Sequence, residues 1–190
     1  MLLANKMALE TDLRKAAVEI ENRELVFFND NLAGIAKRCA MLSGFAFKAY
    51  RKTEFKGVYG ESHQLKMLFK GCCGMAMSCH LCGCLIAVVT MVMGPGLALR
   101  GPEGSITKAV EQMRIERRAT FMFFGVGIFF FFMAAALYAW LAYDLHESAT
   151  VVSSIVTAFM LIFFYSWHRI VTRFKIREDQ KVRGSFMKVN

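Results

Sequence analysis

The sequence predicts an all-α integral membrane protein: a four-helix bundle with an amphipathic N-terminal helix and a C-terminal helical extension. Its 190 residues are 56% apolar with a mean hydropathy of +0.38, more apolar surface than a soluble core of this size hides, so lipid is the expected solvent. Residues 71–99, 119–143 and 148–167 carry no formal charge. Each run is long enough for the roughly 30 Å hydrocarbon layer, which takes about 20 helical residues. A fourth apolar segment, around Met41, is interrupted by cations at regular spacing.

The charges orient the bundle. The net charge is +9, but the cations sit beside apolar runs and form no separate basic face, which argues for membrane topology and against a nucleic-acid partner. Segment 100–118 holds Arg100, Lys108, Arg114, Arg117 and Arg118, seven more Lys or Arg follow from Arg169 on, and link 144–147 holds none. Cation-rich loops stay in the cytoplasm, so the middle loop and the C-terminus are expected inside and link 144–147 outside. The N-terminal third is also rich in Lys and Arg. It stays inside only if the Met41 segment crosses the bilayer, which makes four spans.

Residues 1–30 read as the amphipathic helix, and residues 31–190 as a single four-span domain with spans at about 32–55, 67–95, 118–143 and 148–170. Leu9, Leu13, Ala17 and Ile20 recur at helical spacing, while Glu10, Asp12, Glu19, Glu21 and Glu24 argue against a cleavable signal peptide. Phe27-Phe28-Asn29-Asp30-Asn31 reads as a break whose Asn or Asp caps the next helix. Residues 57–63 form a turn that brings the second span back antiparallel. That span is rich in small residues, Gly71, Gly74, Ser78 and Gly83 among them, which permit close helix approach inside a bundle. Gly94-Pro95-Gly96 is expected to end or kink it. From Ser105 an amphipathic helix leads into the third span, whose Tyr138, Trp140 and Tyr143 suit the outer interface. The charged extension 171–190 continues from the fourth span as a cytoplasmic helix.

Chemical motifs are few. The spans contain no paired carboxylates, and the chain has no phosphate-binding glycine loop, nucleophile elbow or HExxH, so neither an enzyme nor a cofactor is expected. Five of the six cysteines lie within residues 72–84 on one predicted helix, which excludes a disulfide framework. Cys79-His80-Leu81-Cys82-Gly83-Cys84 has CxxC and CxC spacings, yet on a helix only Cys73, His80 and Cys84 share a face. The cysteines therefore read as packing residues and not as a metal site. An ionisable group at the depth of His80 points at protein or water, for a hydrogen bond within the bundle or for gating. Lys37, Met41, Phe45, Lys48 and Lys52 fall within about 80° on a helix of about 100° per residue. Such a stripe lies at an interface or is turned away from lipid.

Leu42-Ser43-Gly44-Phe45-Ala46 resembles the first transmembrane helix of the Orai family, the store-operated calcium channel subunits. Lys37 falls where that family has a basic pore residue, His80-Leu81 is followed by Pro95 near the inner end of the second span, and Leu161-Ile162-Phe163 leads to His168-Arg169. The resemblance covers residues 32–180. It implies a homo-oligomer, a hexamer, in the plasma membrane, with a calcium pore lined by Lys37, Met41, Phe45, Lys48 and Lys52. The sequence departs from the family in three places: Lys52 stands where the family has a selecting glutamate, Lys48 replaces an apolar gate residue, and Ala134 or Ala135 replaces a glutamate of the third helix. Calcium needs oxygen ligands, whereas lysine rings favour anions. Glu54 and Glu61 are the candidate carboxylates for the outer mouth, although Glu54 lies about 160° around a helix from Lys52. The alternative is a non-conducting structural subunit of a large heteromeric complex, in an organelle inner membrane, with Lys48, Arg51 and Lys52 on lipid phosphates or acidic neighbours.

Overall fold

A computed structural model describes residues 2–52, 54–55, 62–102 and 104–173. They form four helices and no strand: α1 (Leu2–Tyr50), α2 (His63–Arg100), α3 (Ser105–Ala142) and α4 (His146–Arg173). The turn expected at 57–63 lies largely outside the described residues, as do Glu61 and most of the charged extension.

α1 is 49 residues long, about 74 Å at 1.5 Å per residue. The break expected over residues 27–31 does not occur. Asn31 donates its Nδ2 to the Phe27 carbonyl 2.9 Å away, inside the helix, instead of capping a new one. The helix continues because Leu25, Phe28, Leu32, Ile35, Ala36, Cys39 and Ala46 fall on one side at helical spacing, and all are buried. α1 ends at Tyr50, short of the expected residue 55, and Phe55 turns back to pack edge-on against Phe69 at 5.5 Å.

α2 runs five residues beyond its expected end and carries Pro95 inside it. Proline removes only the bond its own N–H would make to the Met91 carbonyl, so the neighbouring backbone pairs can hold the helix together. The stop comes at Gly101, whose N–H reaches the Leu97 carbonyl at 3.0 Å, with Pro102 next. Gly104 opens α3 with φ +83°, a left-handed conformation that favours glycine. Hydroxyls within the apolar helices bond back to their own turn, as Thr90 does to Ile86 at 2.7 Å and Thr157 to Ser153 at 2.8 Å.

The helices stack in layers. α1 packs on α2 and α3, which pack on each other, and among the described helices α4 touches only α3. One apolar cluster joins Leu25, Phe28, Leu32 and Ala36 of α1 to Ala87 of α2 and to Ala109, Val110 and Met113 of α3. A second joins Phe69, Cys72 and Cys73 to Ala134 and Leu141, with Ala49 of α1 packed against it. α1 thus follows α2 antiparallel along its C-terminal half. By length and composition α2, α3 and α4 can each cross a membrane, and α1 does not meet that measure.

Candidate functional site

The two sides of α1 differ in kind. Cys39 and Ala46 are buried against the bundle, and Cys39 lies so close to α2 that a Cβ on Gly83 would sit 3.4 Å from its Sγ. On the opposite side Lys37, Met41, Phe45 and Lys48 are all exposed, with Met41 61% and Phe45 49% accessible. The helix places these four together, as the spacing predicted. Its charge-free stretch between Arg38 and Lys48 is nine residues, a rise of about 13 Å.

Lys52 does not join them. It lies beyond the end of α1, its ammonium donates to the Tyr138 hydroxyl of α3, and its Nζ sits 4.6 Å from the centre of that ring. Glu54 follows it, outside the helix and exposed. Sequence reasoning missed Tyr138 as the partner of Lys52. The signal available was a phenol at the outer interface, level with the end of the first span.

His80 is fully buried between α2 and α3. Its ring packs against Gly127, where a Cβ would stand 2.7 Å from Cε1, and edge-on to Phe124 at 5.9 Å. The expected bundle-facing orientation is there. The expected hydrogen bond is not: neither ring nitrogen has a partner among the described residues. Of the cysteines, Cys39, Cys72, Cys73 and Cys79 are buried, Cys84 is half-buried and Cys82 is exposed. Among the described residues no three His, Cys, Asp or Glu side chains gather closely enough to hold a metal ion.

At the other end of α1, Phe28 lies beneath two guanidinium groups, with Arg117 at 5.0 Å and Arg114 at 5.9 Å from its ring centre. Arg114 also pairs with Glu24 at 3.4 Å, and Thr107 donates to Glu21 at 2.7 Å. The sequence patterning marked both segments as amphipathic but gave no sign that they face each other.

An all-α chain with three helices able to cross a bilayer, and a fourth that presents cations and apolar groups on one unpacked face, defines a multi-pass membrane protein. The profile of the family described as Orai-1, mediator of CRAC channel activity, matches residues 17–180. The chain belongs to the Orai family. No curated protein and no solved structure matches it.

Proposed function

We propose that the protein is an ion-conducting subunit of a homo-oligomer in which α1 of each copy faces a shared axis, with Lys37, Met41, Phe45 and Lys48 lining the lumen. The observation that carries this reading is the two-sidedness of α1. Its small and apolar side packs on α2 and α3, while its cation-bearing side is exposed among the described residues. A Lys or Arg facing lipid at mid-span costs about 2.5–3.5 kcal/mol on insertion scales. With only about 15 Å between the Arg38 and Lys48 levels, a lipid-facing orientation would strand charge inside a hydrocarbon layer of about 30 Å. A water-filled lumen shared by several copies removes that cost.

The layering fits the same picture: α1 innermost, then α2 and α3, then α4 outermost. In such a lumen Met41 and Phe45 form an apolar girdle that gates by dewetting. Family membership favours a hexamer in the plasma membrane. The test is oxidative cross-linking of Phe45→Cys in a Cys82→Ser background. Disulfide-linked dimers are expected from Phe45→Cys and not from Phe159→Cys on the outer helix, because only residues near a common axis bring two Cα atoms within about 7 Å. Equal linking at the two positions, or none at Phe45, would count against the axis.

A further inference from the structure

Resting on the reading of α1 as the lumen-facing helix, we propose that the lumen selects small monovalent anions such as chloride over calcium, and that the Lys48 ammonium groups form the selecting ring. The first observation is the charge inventory of α1 at membrane depth. Residues 31–53 contain Lys37, Arg38, Lys48, Arg51 and Lys52 and no Asp or Glu. The second is geometry. Lys48 is exposed on the same side as Met41 and Phe45, and it makes no hydrogen bond or ion pair among the described residues. Lys52, the other lysine at the outer end, is drawn off the axis by Tyr138. Lys48 is therefore the outermost charge on the stripe within the helix.

Calcium takes six to eight oxygen ligands and favours carboxylates. α3 supplies none at this depth, since residues 119–143 carry no acid, and Glu54 lies outside the helix beyond Lys52. Several copies of Lys48 around one axis repel one another and repel a divalent cation twice as strongly as a monovalent one. An anion entering the ring relieves both repulsions. The adjoining Met41 and Phe45 leave it few competing water molecules, which strengthens its attraction to the ammonium groups.

The full-length protein, purified and reconstituted in planar bilayers under a steep KCl gradient, is the test. The current is expected to reverse near the chloride equilibrium potential, to shift towards the potassium potential in Lys48→Gln, and to shift further in Lys48→Glu. Reversal of the wild-type current near the potassium potential, or a calcium current abolished by Glu54→Gln, would overturn the inference. The lumen assignment would survive that result if the Phe45→Cys cross-link still formed. Absence of chloride flux from both the wild type and Phe45→Ala, which opens the girdle, would also overturn it. Loss of the cross-link removes the shared axis and the anion ring together.

Discussion

At Gly127 a Cβ would stand 2.7 Å from Cε1, 2.8 Å from Nδ1 and 2.9 Å from Nε2 of His80, whose ring is fully buried and flanked by Phe124. Replacing an interior helical glycine by alanine ordinarily gains about 1 kcal/mol in helix propensity. Forcing a methyl into a rigid buried ring costs about 1–3 kcal/mol, so the overlap is expected to win at Gly127. At Gly74 nothing lies within 4 Å, so only the propensity gain remains. Thermal unfolding in detergent should therefore show Gly127→Ala melting below the wild type and Gly74→Ala at or above it. His80→Ala combined with Gly127→Ala should recover part of the loss, because the two residues share one contact and their effects do not add. Gly94 is the intermediate position. A Cβ there meets the thioether of Met113, whose flexible end can move aside, so Gly94→Ala should cost less than Gly127→Ala.

The contact between the N-terminal half of α1 and the start of α3 separates packing from charge at the scale of an element. Phe28 is 6% exposed and belongs to the apolar cluster with Val110 and Met113, whereas Glu24 and Arg114 are close to half exposed. Truncating a buried phenylalanine costs about 3–5 kcal/mol, and an exposed ion pair contributes about 0–1 kcal/mol. Phe28→Ala should lower the unfolding temperature strongly and speed hydrogen exchange in α1, while Glu24→Gln should change both little. Phe28→Leu should fall between, keeping most of the apolar contact and losing the cation–π attraction of about 0.5–1 kcal/mol.

The same elements show what the sequence made legible. Periodicity and charge-free runs predicted α2, α3 and α4 because lipid demands long apolar helices, and that demand is written residue by residue. The continuity of α1 was hidden. Asn29, Asp30 and Asn31 look like a cap, and what overrides them is the burial of Phe28 and Leu32 against α2 and α3, a tertiary fact. The end of α2 was misplaced for a related reason: Pro95 matches a stop signal, but Gly94 is there to admit Met113 and the stop lies at Gly101-Pro102. Of the stripe, Lys37, Met41, Phe45 and Lys48 were readable from spacing alone. Lys52 was not, because the helix ends before it and the partner that captures it is Tyr138, far along the chain.

For the whole molecule, the decisive quantity is the parity of the spans. Three helices are long and apolar enough to cross a membrane, and an odd number of crossings would place the chain's ends on opposite sides of it. α1 nevertheless contributes to both apolar clusters, with Leu25 in the one that holds Ala87 and Ala49 packed against the one that holds Phe69, so it runs beside α2 between those two levels. If, as we propose, α1 crosses with its neighbour, the fourth crossing returns both ends to one side. Single cysteines at Met7 and Val171, both exposed, should then be shielded together from a membrane-impermeant maleimide applied to intact cells, whereas Leu145→Cys in the link between α3 and α4 should label. Cys82, exposed on the subunit surface but within a charge-free run, should stay unlabelled in lipid. Labelling of Met7→Cys with protection of Val171→Cys would mean that α1 lies outside the bilayer. Its lysines would then face headgroups or another protein, and no lumen could form around them.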